Sequence, residues 1–245
     1  MIYPVRTLII SDIHANLNAL EAVLAHAGQF ERVFCLGDIV GYGPDPNECV
    51  EIVRNLPNLT YIMGNHDAGL LGFIDLYTFN QEAMDAIHVQ SGILSAEARD
   101  FLELASVRTE ESQFTLAHGS PRKPIWEYII HVGLAWLNFR EFTTPICLVG
   151  HTHIPCIFEE ESEKQVRLLL PGHGDMWRSD KRFILNPGSV GQPRDRNPKA
   201  AYVIYDDQED NFQFQRVAYD FKPVQARARA LGIPERHAYR LEFGL

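Results

Sequence analysis

The 245-residue chain is poor in cysteine. It has four, Cys35, Cys49, Cys147 and Cys156, and no two form a CxxC pair. That argues against a disulfide framework or a thiolate zinc site, and makes buried, reduced thiols the expectation. Positive charge is also scarce. Lys and Arg total 22 against 32 Asp and Glu, a formal charge of −10 with His neutral. A general nucleic-acid binder or a protein of anionic membrane surfaces needs the opposite balance. A local positive site built on bound metal remains compatible with it. There is no GxxxxGK[ST] and no GxGxxG, which removes P-loop and dinucleotide-binding readings. No apolar run is long enough to cross a bilayer, and the N-terminal stretch reaches polar residues too early for a signal sequence. The expected location is cytoplasmic. No repeat, linker or low-complexity segment interrupts the chain, so residues 1–245 are expected to form one domain. A hydrophobic share of 46% and a charged share of 22% suit a soluble globular protein with a full core.

Apolar runs and helical periodicity alternate in the first half. Residues 5–11 read as a buried strand and 16–28 as an amphipathic helix stopped by glycine. RVFCLG is a second strand, DPNECVEIVRNL a helix with proline near its start, and LTYIMG a third strand. Residues 80–105 look helical with a break near Ser95. Residues 113–119 and 145–153 are further strands, with a helix around 131–141 between them. After His153 short strands dominate (PCIFEE, KQVRLLL, RFILNPG, AAYVIYD, FQFQRVAY), separated by polar turns. A last helix covers 222–232, and 233–245 read as a loosely docked tail. Strand–helix units followed by a meander predict an α/β fold, a four-layer α/β/β/α sandwich of two sheets with flanking helices.

The chemistry sits at the strand ends. The first strand ends in SDIH (Asp12, His14), the second in GDIVG (Asp38), the third in GNHD (Asn65, His66, Asp67). TLAHG ends in His118, and CLVGHTH in His151 and His153. Carboxyl ends of strands are where ligands gather in α/β sheets. Asp, His and Asn supply oxygen and nitrogen donors suited to two divalent cations. In DIH and HTH the residues are two apart, so both point the same way from an extended segment. Two ions bring +4 and two aspartates return −2. A bridging hydroxide then leaves about +1, a well for a phosphodiester anion. Unrelated turn and cap residues would not repeat at five strand ends.

The order D-x-H, G-D-x-x-G, G-N-H-D, H-G, G-H-x-H resembles the calcineurin-like metallophosphoesterase superfamily, and within it the small prokaryotic phosphodiesterase-like branch. The motifs span Asp12 to His153. The resemblance implies one metal held by Asp12, His14, Asp38 and His153. It implies a second held by Asp38, Asn65, His118 and His151, with Asp38 bridging. Manganese is the expected ion, and iron, zinc, nickel or magnesium suit the same donors. His66 is left without a metal and matches the family's proton donor to the leaving group, a role that imidazole chemistry suits. Asp67 is expected to cap or orient its turn. Ser/Thr phosphatases of this superfamily carry an Asp-Arg pair where this chain has Gly41 and Tyr42, which weighs against phosphoprotein substrates. Asp45 is a candidate to orient His66 only by its closeness in sequence.

Outside the motifs, Arg122 and Arg194 are candidate phosphate contacts. Trp126 and Tyr128, near Arg122 in HGSPRKPIWEY, are candidate pocket walls. The loop 186–198 around Arg194 is long for a plain hairpin connection. Residues 171–182, with His173, are open between a lid and a turn. His26, His88, His131 and His237 read as structural or surface residues. The leading expectation is therefore a dinuclear-metal phosphodiesterase that acts on a small phosphoester or nucleotide. A phosphomonoesterase or nucleotide pyrophosphohydrolase on the same metals is the alternative. A non-catalytic scaffold, like the retromer subunit on this fold, is the third reading, disfavoured because every motif position is filled.

Overall fold

The computed structural model describes residues 5–245. The first half runs β1 (Arg6–Ile10), α1 (Leu17–Ala27), β2 (Arg32–Cys35), α2 (Pro46–Arg54), β3 (Leu59–Tyr61), α3 (Asn65–Leu71), α4 (Gln81–Ser91), α5 (Ala96–Leu102), β4 (Arg108–Glu111), β5 (Phe114–Ala117), α6 (Val132–Asn138) and β6 (Ile146–Leu148). The second half is β7 (Cys156–Ser162), β8 (Gln165–Leu169), β9 (Met176–Trp177), β10 (Phe183–Asn186), β11 (Ala200–Asp206), β12 (Asn211–Val217), α7 (Lys222–Ala230) and α8 (Glu235–Phe243). Helix starts follow local chemistry. The Asn16 side chain accepts from Ala19 N at 3.1 Å, and Pro46 opens α2. The break near Ser95 is a cap, its hydroxyl accepting from Ala98 N at 3.1 Å to start α5.

Two mixed six-stranded sheets form, ordered β3-β2-β1-β11-β12-β9 and β4-β5-β6-β10-β7-β8. β1, β2 and β3 are parallel, and β11 returns antiparallel to β1 with Arg6 opposite Asp206. Strand alternation sorts the side chains. Ile9 faces the inter-sheet core with Phe34, Phe114, Leu148, Phe183 and Phe214, while Leu8 and Ile10 face helices α1 and α2. On the far side, α6 packs over Cys147, Phe158 and Ile184. The four layers are those expected. The parallel register sets the ends of β1, β2, β3, β5 and β6 along one edge of the sandwich, and the polar motifs follow directly.

Two segments differ from the sequence expectation. Residues 233–245 are not a loose tail. They form α8, which buries His237, Ala238 and Leu241 against Ala86 and Ala228, and Gln225 Nε2 donates to Ala238 O at 2.9 Å. Only Ala238 and Leu241, three apart, are buried apolar residues of this helix, and the Gln225 bond adds to their hold. Residues 171–182 contribute the short edge strand β9, paired to β12, and His173 Nδ1 accepts from Arg216 N at 3.1 Å. The four cysteines are buried and free. Among the described residues no helix is long and apolar enough to cross a membrane.

Candidate metal centre

The loops after β1 and β2 stay zipped together beyond the strands. Asp12 N donates to Gly37 O at 3.0 Å, His14 N to Asp38 O at 2.9 Å, and Ala15 N to Ile39 O at 2.8 Å. This pairing holds Asp12, His14 and Asp38 in the left-handed region, with φ of 53°, 49° and 54°. The HTH loop does the same for His151 (66°) and His153 (61°). Such values are uncommon for residues with a Cβ and persist only where the surroundings enforce them.

The structure brings together all seven ligands expected from the motifs. Asp12, His14, Asp38, Asn65, His118, His151 and His153 are at most 3% exposed. Asp38 Oδ2 lies 3.6 Å from His14 Nε2 and 3.3 Å from His118 Nε2, between the two groups. On one side His153 Nε2 is 3.3 Å from Asp12 Oδ1 and 3.1 Å from His14 Nε2. On the other, His118 Nε2 is 3.2 Å from Asn65 Oδ1 and 3.1 Å from His151 Nδ1. Donors sharing an ion through bonds of about 2.1 Å stand roughly 3 to 3.5 Å apart, so the spacing fits.

Three imidazoles are oriented from behind. His14 Nδ1 donates to Val40 O at 3.0 Å, His118 Nδ1 to Leu36 O at 2.8 Å, and His153 Nδ1 to Gln192 O at 2.5 Å. Each leaves its Nε2 lone pair facing the cage, the arrangement typical of metal-bound histidine. His151 is turned the other way. It presents Nδ1, its ring stacks on Tyr128 at 3.7 Å, and its buried Nε2 has no partner among the described residues.

The electrostatics match a cation-shaped gap. Burial alone would favour the neutral acids, yet neighbouring imidazoles hold Asp12 and Asp38 well below the usual carboxylate range. His118 is disfavoured as a cation by burial, but the Asp38 carboxylate lifts its pKa to about 9. Burial pushes His14 and His151 well down and His66 to about 4. Without metal a proton on His118 stands in for positive charge that two ions would supply. The donor set and the lone pairs that face each other fit a pair of divalent ions.

His66 lies beside this cage. It is within ligand reach of His14 and Asp38, but its ring packs between Tyr42 at 4.3 Å and Phe79 at 5.1 Å. Its Nδ1 is buried without a partner among the described residues. Asp45 does not orient it. That carboxylate pairs with Arg227 at 2.7 Å. Asp38 Oδ1 fixes the turn instead, accepting from His66 N at 2.8 Å. Asp67 does more than cap, since its carboxylate accepts from Gly64 N at 3.0 Å, Asp38 N at 2.8 Å and Val40 N at 3.2 Å. It ties the GNHD turn to the GDIV loop.

Of the two arginines, Arg194 lies beside the cage, its backbone N donating to His153 O at 3.4 Å. Its Nη2 donates to Gln192 Oε1 at 3.0 Å and Tyr42 Oη at 3.4 Å, and it forms no ion pair among the described residues. Arg122 does not. It pairs with Glu127, which also accepts from Ser120 Oγ at 2.8 Å and Asn138 Nδ2 at 2.7 Å. Tyr42, Phe79 and Gln90 are neighbours of the site that sequence reasoning misses. Gln90 clamps the Gly41–Gly43 turn, accepting from Gly41 N and donating to Gly43 O at 2.6 Å each. The glycines around Tyr42 are the available signal.

Residues 5–210 match the family model described as the calcineurin-like phosphoesterase superfamily domain. The chain belongs to that superfamily. It is similar to a metallophosphoesterase from Sphaerobacter thermophilus of solved structure, 44% identical, over 99% of this chain and 100% of that one, with a TM-score of 0.92. It is also 39% identical to an uncharacterized protein of Methanocaldococcus jannaschii, over 96% of this chain and 97% of that one. A hypothetical protein of Pyrococcus horikoshii OT3 shares the fold at 22% identity, with a TM-score of 0.79 over 98% and 99% of the two chains. The chain is a phosphoesterase, a hydrolase of phosphoric ester bonds, with His and Asp side chains clustered so that they could hold metal.

Proposed function

We propose that this phosphoesterase hydrolyses phosphodiesters with two divalent cations, manganese being the expected pair, and with His66 as proton donor. The observation that carries the reading is His66 itself, buried against the cage, outside both expected ligand sets and aimed by Asp38 through its backbone N–H. The two ions, when bound, supply an acidified water and neutralise phosphoryl charge. Asp12 and Asp38 limit the centre's net positive charge, which suits a monoanionic diester better than a dianion. Arg194, with no carboxylate partner among the described residues, donates to a phosphoryl oxygen. His66 Nδ1 lies against Gly41, where a Cβ would stand 2.4 Å from it, so Nε2 is the atom that meets substrate. Burial keeps the free imidazole neutral. An anionic ester within a few ångströms raises its pKa, so the ring takes up from solvent the proton that it then donates to the departing oxygen.

The test is turnover of a bis-aryl phosphodiester and an aryl monoester by chelator-stripped protein with Mn²⁺ restored. The expected result is faster diester turnover that requires metal. His66→Ala is expected to keep both ions and lose 10²- to 10⁴-fold in kcat, on the order seen for general-acid groups. Faster monoester turnover, or loss of metal in His66→Ala, would overturn the reading.

A further inference from the structure

Tyr42 occupies a position that packing alone does not explain. Its backbone is left-handed, with φ of 60°, a strained setting for an aromatic residue. Its ring is 8% exposed and wedged among three imidazoles: His14 at 4.5 Å, His66 at 4.3 Å and His237 at 4.5 Å. One of these is a metal-ligand candidate and one the acid candidate. Its hydroxyl accepts from Arg194 Nη2, and among the described residues nothing accepts its proton. An unused donor beside Arg194, the cation next to the cage, is poised for an anionic oxygen.

The third imidazole comes from α8. His237 Nε2 donates to Glu82 O at 3.1 Å, which sets the ring against Tyr42. The end of the same helix holds the Arg194 loop, Gly244 O accepting from Arg196 N at 2.8 Å. One helix therefore supports both groups from behind.

We propose that Tyr42 is a substrate-contacting residue whose O–H donates to a non-bridging phosphoryl oxygen beside Arg194, with His237 of α8 as its positioning residue. The inference rests on the phosphoesterase reading of the cage. A hydrogen bond to a charged oxygen corresponds to roughly 10- to 100-fold in binding.

The experiment combines Tyr42→Phe, His237→Ala, His237→Phe and the Tyr42→Phe/His237→Ala double variant, all loaded with Mn²⁺. Metal content, kcat and KM for a bis-aryl phosphodiester, and binding of inorganic phosphate by calorimetry are read for each. Tyr42→Phe keeps the ring, and is expected to hold both ions while losing about 10- to 100-fold in kcat/KM and in phosphate affinity. His237→Ala is expected to lose a similar factor alone and nothing further in the double variant, and His237→Phe to restore most of it. Unchanged phosphate affinity in Tyr42→Phe, loss of metal in it, or additive losses in the double variant would overturn the proposal. Phosphate binding is read without turnover, so a wild type inactive on diesters sinks the diester reading while Tyr42 is still tested.

Discussion

Gly64 and Gly72 flank helix α3, and replacing each with alanine separates crowding from backbone strain. Gly64 has ordinary extended angles, φ −88° and ψ 173°. A Cβ there would stand 2.0 Å from Asp38 Oδ1 and 2.3 Å from Asp38 N. Ordinary contact needs about 3.5 Å, so more than 1 Å must be found. Asp38 Oδ1 is held by His66 N and Asp38 N by Asp67 Oδ2, both at 2.8 Å, so neither atom yields freely. Gly72 has φ of 80°, and a methyl group added there would meet nothing within 4 Å. Each substitution should cost about 1 to 3 kcal/mol, the first through overpacking and the second through the left-handed backbone. Stability therefore does not distinguish them, and metal binding does. Gly64→Ala displaces the carboxylate that lies between His14 and His118 and should weaken metal affinity by at least about 10- to 100-fold, as disturbing groups that support ligands does. Gly72→Ala should leave affinity unchanged. Denaturant unfolding of the stripped protein gives the first quantity and competitive chelator titration the second. Wild-type affinity for two ions in Gly64→Ala would refute the reasoning, as would equal weakening in both variants.

Asp38→Asn should reduce tightly bound metal from two ions to one or none by elemental analysis, because one oxygen lies between His14 and His118; two tight ions would contradict the bridging position. In the metal-free protein, His66 (pKa about 4), His14 and His151 are depressed by burial, so the unfolded chain binds more protons and stability rises with pH from about 4 to 6.5. His66 alone contributes about 3 kcal/mol, opposed by Asp67, raised to about 6 by burial and the Asp38 charge. Above 6.5 the sign reverses, since His118 is raised to about 9 and its contribution is lost as its proton leaves. A urea midpoint that fails to peak between these limits in stripped protein would refute this assignment. Arg122→Ala should leave KM for a diester unchanged, because Glu127 already holds the guanidinium; a tenfold rise in KM would restore a substrate role.

The residues of the cage were legible because each interrupts an apolar strand with a donor at a loop that the strand must end in. The layers were legible from the change between strand–helix units and short strands. Strand membership was not. β11 pairs with β1 across nearly two hundred residues, and β4 to β6 leave the first sheet for the second, because pairing is decided by inter-sheet packing of residues such as Phe114 and Phe212. The C-terminal helix was hidden for a similar reason: α8 has few apolar residues, and the surface it covers, at Ala86 and Ala228, is assembled from distant segments. Arg122 and Arg194 look alike in sequence, each basic in a Gly/Pro-rich loop. Only the fold gives one a carboxylate and leaves the other without.

The cage carries its own conflict when no cation fills it. Five of its seven side chains hang from left-handed backbone, and such residues cost roughly 1 kcal/mol or more each. His14 and His153 point Nε2 at each other at 3.1 Å, while His118 Nε2 meets His151 Nδ1 at the same distance. Two lone pairs at that range repel unless a proton or a metal lies between them. The fold sustains this because the ligands are fixed by other groups: backbone carbonyls behind three imidazoles, Asp12 accepting from His151 N at 3.1 Å, and Gly191 N donating to Asp12 O at 2.9 Å. Removing metal therefore leaves the proton held by His118 bridging it to His151, and His14 and His153 in place with their repulsion exposed. Ions that accept those lone pairs relieve it, so metal-binding energy becomes folding energy at this edge of the sandwich.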